Sequence, residues 1–174
     1  MGGALMVMGL DLGSQEVGLA VVESLEGRFV LRVCLGYRLG RTSMPERLEK
    51  LHRWLSAQLQ AWPAALVAIE EPFVGKNARS ALALGTVKGL VWGMLLGLGR
   101  PAPLLLAPAQ VKKAITGQAH APKEQVAAML IHYLRETPPL PDNTHATDAV
   151  AIALAATFLQ NSPIKRTLTS RAER

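Results

Sequence analysis

The chain has 174 residues, of which 49% are hydrophobic and 18% are charged. This length predicts one domain with a sizeable core, and this apolar content excludes a disordered chain. The formal net charge of +6 favours an anionic partner, with nucleic acid first. The only cysteine, Cys34, excludes an internal disulfide. We expect a soluble cytoplasmic protein, because no signal peptide is evident and the longest apolar run, 89–99, is too short to span a bilayer.

The first part of the chain predicts three strands and then a helix. The strands are predicted over 4–13, 17–24 and 28–39, and the helix over 43–62. The first strand is a buried apolar run that ends near Asp11. The next two strands are separated by a link of hairpin length. In the helix, leucines recur at helical spacing, Ser43 is the N-cap, and Glu46 completes a capping box.

The second part alternates strands and helices. Strands are predicted over 65–73 and 102–108, and helices over 76–99, 108–117, 122–136 and 144–159. The order predicts an α/β fold with a mixed five-stranded sheet, in which three antiparallel strands precede parallel crossovers and helices cover both faces. Residues 1–160 are interpreted as one domain, and the basic tail 161–174 is predicted to be disordered.

Four glycines recur every four residues in the long helix. Gly85, Gly89, Gly93 and Gly97 would form a smooth ridge that another backbone can approach closely. Each costs the helix about 1 kcal/mol relative to alanine, so tight packing should compensate. The packing partner is either the protein's own sheet or a second subunit.

Three carboxylates and one imidazole are predicted to meet at one end of the sheet. Asp11 ends the first strand, Glu70 ends the fourth, and His145 and Asp148 lie one turn apart on the last helix. Strands one and four are neighbours in the proposed sheet, and the last helix crosses it. Glu71 should point to the opposite face of its strand, so it receives no catalytic role.

A divalent cation would resolve the repulsion within this acidic cluster. Oxygen ligands with one imidazole suit Mg²⁺ or Mn²⁺ better than zinc, and two such ions support phosphodiester cleavage. His145 would either ligate an ion or position water. Simpler interpretations stay open: Asp11 as a turn residue, Glu70 as a solvated strand end, and His145 as a backbone partner. Asp148, inside an apolar helix, is the hardest to explain without a ligand.

These residues together resemble the RuvC family of Holliday-junction resolvases. The resemblance runs from about 8 to 155 and is carried by the segments GLDLGSQEVGLAVVE, AIEEPFVGKNARSALALGTVKG, PAQVKKAITGQAHAPKEQV and HATDAVAIALA. It implies an RNase H-like fold, a homodimer, and metal-dependent cutting of four-way DNA junctions by paired nicks in recombination and repair. It also suggests a RuvA–RuvB-type branch-migration complex as a partner. Leu12 is a departure, since many members have proline there.

The resemblance also implies roles for individual residues. The family's acidic site falls on Asp11, Glu70 and Asp148, while His145 occupies another position that is acidic in some members. Lys123 joins them as a catalytic residue. The predicted DNA-binding residues are Phe73, Lys76, Asn77, Arg79, Lys112, Lys113 and Lys123. Among these, Phe73 would stack on junction bases, and the start of the long helix favours phosphate.

Several alternatives stay open at this point. The chain could be an RNase H-like nuclease for RNA–DNA hybrids or flaps, an actin-like or sugar-kinase-like ATPase, or a non-catalytic DNA-binding relative. The lysines could be solvated helix charges, and Phe73 could simply pack under its loop.

Overall fold

One mixed sheet organises the protein, for which the computed structural model describes residues 4–71, 78–135 and 143–161. Its strands are β1 (Leu5–Leu12), β2 (Glu16–Leu25), β3 (Arg28–Arg38), β4 (Leu66–Glu70), β5 (Leu104–Leu106) and β6 (Leu134–Arg135). Their order across the sheet is β5-β4-β1-β2-β3-β6. The first three strands pair antiparallel, whereas β4, β5 and β6 each pair parallel with a neighbour. The predicted arrangement of antiparallel strands followed by parallel crossovers is confirmed.

Helices cover both faces of this sheet. They are α1 (Met44–Ala61), α2 (Ala78–Gly97), α3 (Pro108–Thr116), α4 (Lys123–Tyr133) and α5 (Thr144–Asn161). α1 and α2 close one apolar core, and α3, α4 and α5 close the other. The predicted capping box of α1 is present, because the Ser43 N–H donates to the Glu46 carboxylate at 3.1 Å.

The structure adds a short sixth strand to the five that the sequence predicted. Helix α4 ends at Tyr133, and the next two residues pair with Phe29 and Val30 of β3. Two residues cannot show the alternating pattern that identifies a strand, so the sequence predicted helix through 136. At the other boundary α5 runs to Asn161, and the tail from 162 lies outside the described residues.

Two glycines allow α5 to lie directly on the sheet. A Cβ at Gly9 of β1 would overlap the carbonyl oxygen of Ala149, and one at Gly18 of β2 would overlap that of His145. Since any other residue at these positions carries a Cβ, only glycine permits this close approach. This close approach sets the distance between α5 and strands β1 and β2.

The outer face of α2 is apolar and largely uncovered. Of the helices in the described residues, α2 is the one long and apolar enough, by length and composition, to cross a membrane. Those two criteria are weak grounds for a membrane span, and α2 packs against the sheet core through Val87, Val91 and Leu95. Only 17% of its apolar window is buried within the chain. Most of this helix therefore faces outward.

Candidate active site

Asp11 and Glu70 lie side by side at one edge of the sheet. β1 and β4 run parallel with Leu10 opposite Ile69, so the residues that follow are adjacent at the carboxyl ends of the two strands. Side chains alternate between the faces of a strand. Leu10 and Ile69 point into the core under α1 and α2, so Asp11 and Glu70 point to the face that carries α5.

The first turn of α5 brings His145 to Asp11. The Asn143 side-chain oxygen accepts a hydrogen bond from the Ala146 N–H at 3.1 Å, which caps the helix start. The register places Gly18 opposite Asp11 on β2, beneath the same turn of α5. A hydrogen bond of 2.6 Å then joins His145 Nδ1 to Asp11 Oδ2. The imidazole and the carboxylate are thus positioned by elements 134 residues apart in the chain.

Asp148, one turn further along α5, is held by a lysine from α4. The Lys123 Nζ donates to Asp148 Oδ2 at 2.8 Å, and the lysine side chain is 70% exposed. This hydrogen bond is the main cause that raises the pKa of Lys123, so the lysine stays protonated. An exposed pair of this kind contributes little stability and separates readily when another partner competes.

Two carboxyls of the cluster, Glu70 and Asp11, have raised pKa values. The pKa of Glu70 is raised to about 7, first by burial and then by the negative charges of Asp11 and Asp148. The pKa of Asp11 is also raised, mainly by burial, although the hydrogen bond from His145 partly lowers it. Buried carboxylates that repel one another are stabilised by positive charge.

The carboxylates and the imidazole of this cluster suit a hard divalent cation, but Asp11 and Asp148 are already hydrogen-bonded to other side chains. In 4–71, 78–135 and 143–161, no three Asp, Glu, His or Cys side chains stand together as a ready coordination cluster. The Asp11 carboxylate is hydrogen-bonded to His145, and the Asp148 carboxylate is hydrogen-bonded to Lys123. Carboxylate oxygens with one imidazole are still the donor set that suits Mg²⁺ or Mn²⁺. The positive charge of such an ion would offset the burial and the mutual repulsion that raise the pKa values of Asp11 and Glu70.

The other predicted site residues divide into three groups. Lys112, half-buried on α3, is close enough to lower the pKa of Glu70, whereas Lys113 on the same helix is exposed. Arg79 is exposed in the first turn of α2. Three predicted DNA-binding residues lie outside the described residues: Phe73, Lys76 and Asn77. The DNA-binding roles of all these residues stay predictions.

Sequence reasoning missed several features around the site. The close contact at Gly18 left no local signal beyond a glycine within a strand, which indicates a bulge or a close backbone approach. Asn143, directly before the last helix, carried a readable N-cap signal that was not used. A groove beside His145 was also missed, because its walls come from three separate segments.

Comparison with known proteins identifies the family. The profile described as "Crossover junction endodeoxyribonuclease RuvC" matches residues 7–156. The chain belongs to the RuvC family. A RuvC from Chlorobaculum parvum is 38% identical over 151 residues, which cover 86% of this chain and 79% of that protein. A RuvC from Carboxydothermus hydrogenoformans is 33% identical over 153 residues, which cover 87% of this chain and 94% of that protein. Both are named as endodeoxyribonucleases, so the RuvC family is one of enzymes.

A solved RuvC structure shares the fold described above. Thermus thermophilus RuvC, solved in complex with a Holliday junction substrate, matches with a TM-score of 0.81 at 30% identity. The match covers 89% of this chain and 94% of that one. The RNase H-like α/β fold expected from the resemblance is therefore confirmed.

Proposed function

We propose that this chain is a metal-dependent endonuclease that resolves four-way DNA junctions by paired, symmetric nicks. The observation that carries the proposal is the meeting of Asp11 and Glu70 at the ends of parallel strands, with His145 and Asp148 above them. It is supported by membership of a family whose relatives are named crossover junction endodeoxyribonucleases. The ATPase alternative has no such support.

We assign metal binding to Asp11, Glu70, His145 and Asp148. Two Mg²⁺ or Mn²⁺ ions at these donors would supply an activated water and a counter-charge for the leaving oxygen. In the described residues Asp11 is hydrogen-bonded to His145, and Asp148 is paired with the Lys123 ammonium. When DNA is bound, the Lys123 ammonium group leaves Asp148 and contacts a backbone phosphate. Lys112 adds positive charge on the same side.

A homodimer matches the approximate two-fold symmetry of an open junction. For its interface we propose the outer face of α2. Gly85, Gly89, Gly93 and Gly97 are exposed, and no atom lies within 4 Å of a Cβ built at any of them. This open surface supports a second subunit as the packing partner of the glycine ridge. Leu82, at 74% exposed, extends the same apolar surface.

The remaining expected partner and the cellular location follow from the family and the substrate. A RuvA–RuvB-type branch-migration complex is proposed from the family resemblance alone. Chromosomal junctions as substrate imply a cytoplasmic protein.

A substrate panel tests the activity. A synthetic four-way junction, a linear duplex of the same sequence and an RNA–DNA hybrid are incubated with Mg²⁺, with Mn²⁺ or with EDTA. We expect symmetric nicks in the junction only, which EDTA abolishes. Cutting of the hybrid would assign the protein to another RNase H-like activity, and no cutting with either metal would refute the nuclease assignment.

A further inference from the structure

A DNA strand that is cut at an internal phosphate continues beyond the active site in both directions. Within the described residues, the predicted DNA-binding lysines lie on one side only, because Lys112 and Lys113 belong to α3 and Lys123 begins α4. The phosphates that continue on the other side are equally charged. They need a path that is open and not anionic.

A groove of about 860 Å³ lies on that other side. Its walls are the β1–β2 turn, the segment that follows β3, and the first turns of α2 at Ser80 and Leu84. His145 also lines it, so the groove opens directly into the candidate active site. Because the groove is continuous with the candidate active site, a strand bound at that site can extend into it.

Two arginines, Arg38 and Arg41, and one carboxylate, Glu16, line this groove, so its charge is net positive. Arg38 is 82% exposed and donates to the Glu16 carboxylate at 2.9 Å, and Arg41 is also exposed. The guanidinium group has five N–H donors, so the Glu16 contact leaves most of those on Arg38 for a phosphate. Because this ion pair is exposed, it is also weak enough to rearrange around DNA.

Hydrogen bonds within the protein hold together the wall that carries these arginines. The carbonyl oxygen of Gln15 accepts hydrogen bonds from the N–H groups of Leu39 at 2.7 Å and Gly40 at 3.1 Å. Arg47 from α1 donates to the Ser14 carbonyl at 2.6 Å. Gly40 adopts a φ of 87°, a conformation that favours glycine. The turn, the end of β3 and α1 are thereby held together as one preformed surface.

We propose that this groove holds the DNA strand on the side of the scissile phosphate away from Lys123, with Arg38 and Arg41 contacting its phosphates. The inference rests on the proposed nuclease function, and it adds a binding surface to that function. His145 borders both the site and the groove, but neither Arg38 nor Arg41 is among the proposed nuclease residues, so the two can be tested apart.

Salt-dependent junction binding provides the first test, measured in EDTA so that no strand is cut. The double variant Arg38→Ala/Arg41→Ala should bind about tenfold more weakly at low salt. The slope of log affinity against log salt should fall by about one for each phosphate that an arginine no longer neutralises. Arg41→Lys should keep most of the affinity, because it keeps the charge.

A matched control lies on the same strand. Arg28 is exposed at the first residue of β3, roughly 33 Å from Arg38 at the last. Arg28→Ala removes one positive charge, as each of the single variants Arg38→Ala and Arg41→Ala does, and should bind and cut as the wild type does. Equal weakening by Arg28→Ala would show that net charge alone is at work, and would overturn the groove.

Neutral phosphates locate the contact on the DNA. Methylphosphonates placed singly within three nucleotides of the cut, on one side and then the other, should weaken the wild type on both sides. On the side held by the groove they should have no further effect on the double variant.

If the double variant keeps wild-type affinity and slope while the wild type cuts junctions, the groove is wrong and the nuclease function stands. If the wild type cuts no junction, the proposed function itself fails.

Discussion

Replacement of Glu70 by glutamine should stabilise the metal-free protein while it destroys the activity. The pKa of this carboxyl is 4.5 in an unperturbed chain and about 7 in the fold. A raised pKa means that the folded protein holds a proton which the unfolded chain has released. The contribution of Glu70 to stability is therefore complete below pH 4.5 and is lost as the pH rises through 7.

The size of the effect follows from this difference in pKa. A shift of this size, without solvent screening, corresponds to about 3 kcal/mol of folding free energy. Glu70 is only partly buried, so solvent screening reduces the expected value to about 1–2 kcal/mol. Glutamine has the shape of the protonated acid and carries no charge. At pH 8 in EDTA, the Glu70→Gln variant should therefore unfold roughly 2–8 °C above the wild type.

Thermal and urea unfolding at pH 8 and pH 4.5 measure this difference. The two proteins should converge at pH 4.5, where the wild-type carboxyl is protonated in the fold. Glu71→Gln is the control, because it removes the same charge from the exposed neighbouring residue and should change stability by less than about 0.5 kcal/mol. Mg²⁺ should raise the melting temperature of the wild type more than that of Glu70→Gln. A Glu70→Gln variant no more stable than the wild type at pH 8 would refute this reasoning.

Four further substitutions test the site and the dimer. Asp148→Asn should abolish cleavage while a gel shift shows intact junction binding, since asparagine keeps the shape and loses the ligand charge; unchanged cutting would remove Asp148 from the site. Phe73→Ala should bind junctions but open them poorly, and an unchanged 2-aminopurine signal at the crossover would contradict its stacking role. Gly18→Ala should cost about 2 kcal/mol and slow cutting, because its Cβ would push His145 away from Asp11; wild-type stability and rate would show that α5 adjusts freely. In light scattering of dilute solutions the wild type should be a dimer, and Gly89→Leu, which fills the proposed interface, should shift it toward monomer. A strictly monomeric wild type would contradict paired nicking by two subunits.

Periodicity and strand order were sufficient to predict the acidic edge of the sheet. Asp11 and Glu70 end strands that are parallel neighbours, so their side chains had to meet. The spacing of His145 and Asp148 placed both on one side of a single helix. Such arguments use only local geometry and the order of elements, and both are readable from sequence.

The contacts that define the site in detail could not be predicted from periodicity and strand order. The Lys123–Asp148 pair joins residues 25 positions apart, on helices whose relative placement no periodicity encodes. The groove beside Arg41 depends on hydrogen bonds between the β1–β2 turn and the segment after β3. Distances between elements are set by packing, as at Gly18, and a sequence pattern reports only which face is packed.

Cleavage of a supercoiled plasmid with an extruded cruciform tests the central claim most directly. Two coordinated nicks on opposing strands of one junction convert such a plasmid directly to linear DNA, whereas independent single nicks release relaxed circles. With Mg²⁺ we expect a linear product with ligatable ends mapped symmetrically across the cruciform base, and none with Asp148→Asn or EDTA. Relaxed circles alone, or linear product of equal yield from a plasmid without the cruciform, would contradict junction resolution by paired nicks.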